Sequence, residues 1–491
     1  MIMKDSPEKG SAGTIVFVTP PYHCGVVEVA GTWPPLSFVP LAAQAEKAGW
    51  NARIYDAMSL RHDHKEIAAT LAEMEFDILA VSSITPTYPD AAEVCRTAKR
   101  VRPDCTTLMG GVHPTFMADE VLLKDPQVDY ILAGEGELPM FHFLSSFDDP
   151  KARHATPNLI YRGDFGVTRN PRLSLMEDWD DLPMAWHLLD WELYTYFPFP
   201  GSRLGAISTS RGCNHECTFC SQQKFWDKTW RGRSAKSVVS EMTHLHEEYG
   251  VDVFLFTDEY PTKDGERWAE LVDRIIAADL NSYILMETRV EDIVRDEAIL
   301  PKYRQAGIVH IYVGAEATDQ ETLDQINKEI SVDESRRAIQ LIAEHDMISE
   351  TSFVLGFPDE TQESIDKTLK AAREFNPDFA HFLAITPWPY ADLWDEYQEY
   401  IEDFDYRNYN LIEPVIKPKN MTRKEIDMAI ITCYGKFYMP KMKEFMTVKS
   451  KFRRDYLLRS TKMIMQSSFL VKKFARLGID PRKAMKDVMG R

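Results

Sequence analysis

Three cysteines, Cys213, Cys217 and Cys220, lie within eight residues of one another in the stretch RGCNHECTFCSQQKFW. Thiols this close are too near for disulfides among themselves and are typical of metal ligands in a reducing compartment. A structural zinc ion needs four protein ligands, and no nearby fourth cysteine or spaced histidine pair is present, since His215 has poor reach between the first two cysteines. Three thiolates can instead hold an iron–sulfur cluster that leaves one iron without a protein ligand. The spacing therefore favours a cluster with an open iron.

Six short apolar runs must position these cysteines. Each run is followed by a helical stretch, and the runs read AISTS, VFLFTD, YILMET, HIYVGAE, ETSFVLG and FAHFLAI. Parallel strands of this kind form barrels whose chemistry lies on the loops that follow the strands. We therefore predict a partial (β/α)6 barrel over 203–396, with the cysteines directly after its first strand.

This CxxxCxxC loop, with Phe219 between the last two cysteines, resembles the radical S-adenosylmethionine superfamily. The resemblance implies a [4Fe-4S] cluster on the three cysteines, whose open iron chelates S-adenosylmethionine; one-electron reduction then gives a 5'-deoxyadenosyl radical. It also implies cofactor-binding roles for residues at the ends of later strands. We assign Asp258 and Glu259 to the ammonium group, Arg289 and Glu316 to the carboxylate or ribose, and Gly356 to a turn near the adenine. For the charged residues, barrel-end salt bridges are the alternative.

A second series of strands and helices precedes the barrel. Continuous Val, Ile and Leu runs separated by single helices predict a doubly wound α/β domain over 14–140, after a flexible N-terminus over 1–13. Its ligand should lie at the carboxyl ends of the strands, near SSITPTYP, GGVHPT and GEGE. A flavodoxin-like or nucleotide-binding sheet is the alternative, although no GxGxxG motif follows the first strand.

Such a domain in front of such a barrel resembles the cobalamin-binding domain of the cobalamin-dependent radical S-adenosylmethionine class. Gly110 and Gly111 would let the backbone approach the large ligand. The DxHxxG signature that supplies a histidine to cobalt is absent, because Pro21 stands two residues before His23. Cobalamin would then bind without a protein nitrogen on cobalt, or with His23 in an unusual setting. For His23 and His113, ordinary loop histidines are the alternative.

Composition and charge bound the remaining regions. The formal charge of −19 argues against a nucleic-acid-binding protein, yet 441–491 carries 15 Lys and Arg against 4 Asp and Glu. For the basic end of the mostly helical region 397–491 we therefore consider three structures. It forms a membrane-surface helix, a rim that binds an anionic ligand, or a solvated helix pair packed on the core. A polar N-terminus and the lack of a long apolar run predict a cytoplasmic protein, peripheral to the membrane if 441–491 binds there. The aromatic, proline-rich connector 141–202 is expected to lie over the barrel.

A narrower resemblance links the chain to the anaerobic magnesium-protoporphyrin IX monomethyl ester oxidative cyclase family. It rests on segments outside the cofactor motifs, including EVAGTWPP, GGVHPTFM, TDEYPT, TPWPYADL and YNLIEPVIKPKNMTRKE. The resemblance implies hydrogen abstraction from the 13-propionate methyl ester, oxygenation from water, and closure of the fifth ring to give divinyl protochlorophyllide, as in anaerobic bacteriochlorophyll biosynthesis. A ferredoxin or flavodoxin would supply electrons.

Aromatic side chains near the barrel mouth would suit a flat magnesium porphyrin. Our candidates for the wall are Trp226, Trp230, Trp388 and Tyr390, and Lys417 and Lys419 would meet a carboxylate. Two other functions remain open. One is a cobalamin-dependent C-methyltransferase acting on a tetrapyrrole or an isoprenoid lipid, with methylcobalamin as donor. The other is a cobalamin- or redox-sensing protein with a regulatory cluster.

Overall fold

A computed structural model describes residues 12–21, 30–467 and Lys473. His23 and Cys24 lie outside these residues. Contacts divide the described chain into two units, one formed by 12–21 and 34–193 and the other by 30–33, 194–467 and Lys473.

The β-strands are listed here in chain order: β1 Thr14–Val18, β2 Gly31–Thr32, β3 Asn51–Tyr55, β4 Ile78–Ser82, β5 Thr106–Gly110, β6 Tyr130–Leu132, β7 Leu159–Gly163, β8 Gly166–Arg169, β9 Thr195–Tyr196, β10 Leu204–Ile207, β11 Ser210–Arg211, β12 Arg231–Gly232, β13 Val253–Phe256, β14 Tyr283–Thr288, β15 Ile308–Glu316, β16 Ile348–Leu355 and β17 Phe379–Ala384.

The α-helices follow the same convention: α1 Phe38–Lys47, α2 His64–Glu73, α3 Tyr88–Val101, α4 Val112–Phe116, α5 Ala118–Lys124, α6 Glu137–Ser145, α7 Pro150–His154, α8 Gln222–Phe225, α9 Ala235–Tyr249, α10 Gly265–Ala278, α11 Val290–Arg295, α12 Leu300–Gln305, α13 Gln320–Gln325, α14 Val332–Glu344, α15 Gln362–Phe375, α16 Leu393–Tyr397, α17 Arg423–Thr447 and α18 Lys451–Ser467.

The first unit contains a seven-stranded sheet in the order β3-β1-β4-β5-β6-β7-β8, and its first five strands run parallel. All five residues of β1 are buried. Strands covered by helices on both faces need such continuous apolar sequences. The core joins strand residues such as Phe17 and Ile78 to helix residues such as Phe38 and Phe143. The predicted doubly wound α/β domain is therefore confirmed.

Most of the segment predicted as a connector, 141–193, belongs to the first unit. β7 pairs antiparallel with β6, and β8 pairs with β7. Leu159 and Ile160 of β7 are buried in this way. The hairpin covers the edge that β6 would otherwise expose, which is the usual way a sheet protects an unpaired strand. Residues 194–202 lie in the second unit, where β9 pairs with β2.

The second unit is built on a six-stranded sheet in the order β10-β13-β14-β15-β16-β17, with every neighbouring pair parallel. Each of the six apolar runs forms one strand, and a helix or loop-helix segment follows each of the first five. Outward residues such as Phe256 and Phe353 pack on Trp268 of α10 and Phe375 of α15. The partial six-unit barrel is confirmed.

The described end of the chain closes the barrel where its strands begin. Phe445 of α17 and Tyr456 and Leu457 of α18 pack in one cluster with residues from the starts of all six strands. Arg453 donates to both carboxylate oxygens of the buried Asp378, at 2.8 and 2.9 Å, and so fixes α18 to β17. Within 441–467 the structure thus favours the packed helix pair. No helix in the described part of the chain is long and apolar enough to cross a membrane.

Candidate active site

The three cysteines lie on the loop that follows β10, at the carboxyl end of the barrel strands. Neighbouring loops hold this segment by backbone hydrogen bonds: Thr218 N donates to Ile326 O at 3.0 Å, and Leu393 N donates to Thr218 O at 2.9 Å. The amide of Gln223 donates to both Cys217 O and the carboxylate of Asp392. The cysteine loop is therefore tied to two later barrel loops before any metal binds.

The thiols themselves fit a cluster better than a single ion. All three are free, with Cys217 buried and the other two half-buried. Burial raises the pKa of Cys213, and that of Cys220 to about 12. Coordination to iron removes this cost, because metal binds the thiolate. Among the described residues no group of three or more His, Cys, Asp or Glu converges on one ion, and His215 pairs with Glu329 at 2.8 Å. The geometry gives no support to a four-ligand zinc site.

Asp258 lies just after β13 and is almost completely buried. Its carboxylate accepts hydrogen bonds from the backbone and hydroxyl groups of both Thr209 and Ser210, three of them at 2.6 to 2.9 Å. The next residue, Glu259, accepts from Gly212 N at 3.3 Å and from the indole of Trp226 at 3.1 Å. These two predicted cofactor ligands therefore hold the start of the cysteine loop.

Glu316 and Lys328 form a buried ion pair of 3.1 Å, with side chains only 12% and 10% exposed. A register shift in β15 and a left-handed backbone at Glu316, with φ of 61°, aim this carboxylate. Gly314 leaves room for the Glu316 side chain, because a Cβ on residue 314 would lie 2.5 Å from the Glu316 carboxylate. Lys328 Nζ also lies 5.8 Å from the Phe219 ring centroid. The pair thus connects β15 to the cysteine motif.

Arg289 follows β14 and is buried. Its guanidinium donates to Lys328 O at 2.8 Å and pairs with Glu291. Sequence analysis missed Lys328 because no motif precedes it. It also missed Glu287 of β14, which is solvent-accessible but has much of the protein packed around it. Poor solvation, reinforced by Glu259 and Asp258, raises the pKa of Glu287 to about 8.

The other predicted barrel residues lie at the same end of the strands or on nearby loops. Gly356 follows β16 and donates to Glu360 at 2.8 Å. Trp230 donates to Tyr260 O at 2.8 Å. Trp388 packs beside Tyr397 and Ile385 in a cluster that also includes Phe219. The remaining candidates are partly or well exposed: Tyr390 is partly exposed, Lys417 pairs with Glu402, and Lys419 pairs with Asp359.

At the carboxyl edge of the first sheet, the loops after β4 and β5 are closely packed. Gly111 has φ of 101°, and a Cβ on it would lie 2.4 Å from Ser83 O. Gly110 O accepts from Ser83 N at 2.9 Å. His113 is fully buried and stacks on Tyr88 with ring centroids 4.4 Å apart. In this arrangement His113 packs inside the unit, and Gly111 packs against Ser83 beside the exposed Ile84.

The two glycines Gly111 and Gly49 allow a matched test of this edge. Both have positive φ, but only Gly111 lacks room for a Cβ. We expect Gly111→Ala to lower the free energy of unfolding by about 3 kcal/mol through strain and overpacking, and to weaken cobalamin retention. Gly49→Ala should cost only about 1 kcal/mol, from strain alone. Urea unfolding of both variants measures the difference, and equal losses would contradict the close packing at Gly111.

Family models match both units. Residues 22–144 match the model described as B12 binding domain, and residues 207–372 match the Radical SAM superfamily. The matched ranges contain the glycine edge of the first sheet and the cysteine loop of the barrel.

Two relatives and one solved structure extend the comparison. The anaerobic magnesium-protoporphyrin IX monomethyl ester cyclase of Rubrivivax gelatinosus is 36% identical over 94% of this chain and 84% of its own length. The enzyme of the same name from Cereibacter sphaeroides is 36% identical over 92% of this chain and 75% of its own. The cobalamin-dependent S-adenosylmethionine radical enzyme OxsB, solved with aqua-cobalamin and S-adenosylmethionine, shares the fold at a TM-score of 0.69 and 13% identity, covering 97% of this chain and 78% of OxsB.

Proposed function

The chain belongs to the anaerobic magnesium-protoporphyrin IX monomethyl ester cyclase family of cobalamin-dependent radical S-adenosylmethionine enzymes, and we propose that it catalyses that oxidative ring closure. Its substrate would be magnesium-protoporphyrin IX 13-monomethyl ester, and its product divinyl protochlorophyllide with an oxygen from water. The observation that carries the proposal is the extent of the similarity, which spans nearly the whole chain rather than the cofactor motifs alone.

The family's cofactors are a [4Fe-4S] cluster, S-adenosylmethionine and cobalamin. We assign the cluster to Cys213, Cys217 and Cys220, and the first two cofactors together supply a radical that removes hydrogen atoms from unactivated carbon. Asp258 and Glu259 fix the entry of the cysteine loop through their hydrogen bonds to residues 209, 210 and 212. A preformed loop reduces the ordering needed when the cluster and S-adenosylmethionine bind.

The charged residues around the loop suit an amino acid ligand. Glu316 and Lys328 present opposite charges near one another, and Arg289 lies beside Lys328 through a hydrogen bond of 2.8 Å. S-adenosylmethionine carries an ammonium, a carboxylate and a sulfonium. We propose that Glu259, Glu287 and Glu316 face its positive groups and that Arg289 and Lys328 balance its carboxylate.

We assign cobalamin to the carboxyl edge of the first sheet, over 14–140, at Gly110 and Gly111. His113 is buried against Tyr88, which leaves it unsuited to reach cobalt. His23, outside the described residues, remains our candidate if a protein nitrogen binds the metal.

The porphyrin would occupy the barrel end that bears Trp226, Trp230, Trp388 and Tyr390. Flat apolar ligands bind in clefts lined by aromatic rings with a few polar groups.

We further propose that a ferredoxin or flavodoxin supplies the electrons. Although α17 and α18 pack on the barrel, Lys443, Lys449, Lys451 and Lys462 are exposed, and they support contact of a cytoplasmic protein with an anionic membrane surface.

An anaerobic assay with mass spectrometry tests the function. The protein is reconstituted with iron, sulfide and cobalamin, then given reductant, S-adenosylmethionine and magnesium-protoporphyrin IX monomethyl ester in water enriched in oxygen-18. We expect 5'-deoxyadenosine and a porphyrin product that has lost hydrogen and gained the heavy oxygen. S-adenosylhomocysteine with a mass gain of one methylene would instead establish a methyltransferase, and no 5'-deoxyadenosine under any condition would support a sensor.

A further inference from the structure

A cluster of ionisable side chains lies inside the barrel, below the level of the cysteine loop. Glu350 of β16 lies between His310 of β15 and His381 of β17. One carboxylate oxygen is 2.7 Å from His310 Nε2, and the other accepts a hydrogen bond from His381 Nε2. These side chains point inward, since the alternate residues Phe353 and Phe382 pack outward on α15 and α17.

The two histidines differ in what their second ring nitrogen contacts. His310 Nδ1 lies 2.7 Å from the hydroxyl of Tyr456, which in turn bonds to the hydroxyl of Tyr196. Both tyrosines are almost completely buried. Tyr456 therefore fixes His310, which lies against Glu350 as an ion-pair partner and acts as a positioning residue for it.

The second ring nitrogen of His381 is in a different setting. Among the described residues, no hydrogen bond reaches its Nδ1, and that atom is not sealed from solvent. The His381 side chain is 16% exposed and the Glu350 side chain is 24% exposed, so neither is sealed from solvent. A carboxylate on one imidazole nitrogen with the other nitrogen accessible is the arrangement of a general base.

The surroundings keep Glu350 ionised. Burial alone would raise its pKa, but His310 and His381 outweigh that effect and hold the pKa of Glu350 well below its usual range. The other titratable groups that face it are tyrosines, which burial keeps protonated: Tyr196, Tyr312, Tyr434, Tyr438 and Tyr456. An imidazolium at His381 would thus meet the Glu350 carboxylate, which it shares with His310.

We propose that His381 is the base that deprotonates the attacking water in the oxygenation step, with Glu350 orienting it and stabilising its charged form. This inference rests on the proposed function. The side-chain carbon has by then lost one hydrogen atom to the adenosyl radical and one electron to a one-electron acceptor of the cobalamin or iron–sulfur class. A lone pair of water forms the new C–O bond, an O–H bond breaks with its electron pair staying on oxygen, and the proton goes to His381 Nδ1.

The first test compares two identical substitutions. His381→Gln keeps a donor for Glu350 but removes the base. His345→Gln replaces a half-buried histidine at the C-terminal end of α14, which is hydrogen-bonded to Leu341 O. We expect His381→Gln to form 5'-deoxyadenosine at the wild-type rate and to lower incorporation of oxygen-18 by about 100-fold or more, the usual contribution of a general base. His345→Gln should match wild type in both. Equal oxygen incorporation by His381→Gln and wild type would overturn the inference.

The pH profile separates a base from a structural role. Oxygen incorporation by wild type should rise with pH across the range in which histidine loses its charge, because only neutral imidazole accepts a proton. Glu350→Gln should lower oxygen incorporation while 5'-deoxyadenosine still forms at the wild-type rate, since His381 loses the carboxylate that orients it. Unchanged oxygen incorporation would contradict the role given to Glu350.

A measurement without substrate or cofactors separates a failure of the proposed base from a failure of the proposed cyclase function. Nitrogen-15 NMR of histidine-labelled apoprotein should show Nδ1 of one histidine binding a proton reversibly as pH falls, with that signal absent in His381→Gln and shifted in Glu350→Gln. Failure to observe this proton binding overturns the base, whatever the substrate. If the signal behaves as expected but wild type gives no oxygenated porphyrin, the proposed cyclase function fails and the proton-accepting site stands.

Discussion

Replacing Cys213, Cys217 or Cys220 by alanine is expected to reduce 5'-deoxyadenosine formation to the limit of detection. Each substitution removes one of the three thiolates that hold the cluster, and the family's radical chemistry depends on that cluster. Iron and sulfide analysis after anaerobic reconstitution, together with chromatography of the products, measures both effects. Cobalamin binding should remain nearly intact, because we assign it to the other unit.

Cys433→Ala is the matched control for the cysteine variants. Cys433 is a buried free thiol on α17, away from the cluster loop. Its replacement should leave iron content and S-adenosylmethionine cleavage unchanged. A protein lacking all three motif cysteines that still cleaves S-adenosylmethionine reductively would show that our assignment of the cluster is wrong.

Asp258→Asn is expected to lower the free energy of unfolding by about 3 kcal/mol and to reduce S-adenosylmethionine cleavage. The carboxylate accepts four hydrogen bonds from Thr209 and Ser210, and an amide would turn one acceptor into a donor facing buried N–H or O–H groups. Each unsatisfied buried group costs about 1–3 kcal/mol. Urea unfolding and the yield of 5'-deoxyadenosine measure the two effects.

Asp264→Asn provides the comparison for Asp258. Asp264 caps α10 and accepts from Arg267 N at 3.0 Å, and asparagine caps helices about as well as aspartate. That variant should unfold at the wild-type urea concentration. If Asp258→Asn were as stable as Asp264→Asn, the carboxylate would not be what holds the cysteine loop.

The strands of both sheets were predictable because they are buried on both faces. A parallel strand between two helix layers must be apolar throughout, so runs such as TIVFV and VFLFTD stand out from the charged helices around them. The position of the cysteine loop followed, since it directly succeeds the first barrel strand.

The hairpin of β7 and β8 was not predictable by the same reasoning. Its strands, LIYRG and GVTR, are short and partly exposed, and they lack a long apolar run. Their place at the sheet edge depends on pairing with β6, which is a tertiary contact that no local pattern reveals.

The side chains inside the barrel follow a sequence pattern that is not part of any motif. His310 and Tyr312 alternate with apolar residues in β15, and Glu350 and Ser352 occupy alternate positions of β16. Alternation of two residues places such side chains on one face of a strand. Lys328 gave no comparable signal, because its role depends on the register shift that aims Glu316.

The helices α17 and α18 also limit how ligands enter and leave the barrel. Since α17 and α18 pack over the end where the strands begin, that end offers no entrance to the interior among the residues that the structure describes. A porphyrin that covers the end bearing the cysteine loop would therefore block the exchange of S-adenosylmethionine there. We expect S-adenosylmethionine to bind before the porphyrin in a compulsory order, and a porphyrin that stays bound between oxidations to delay the exchange of spent 5'-deoxyadenosine.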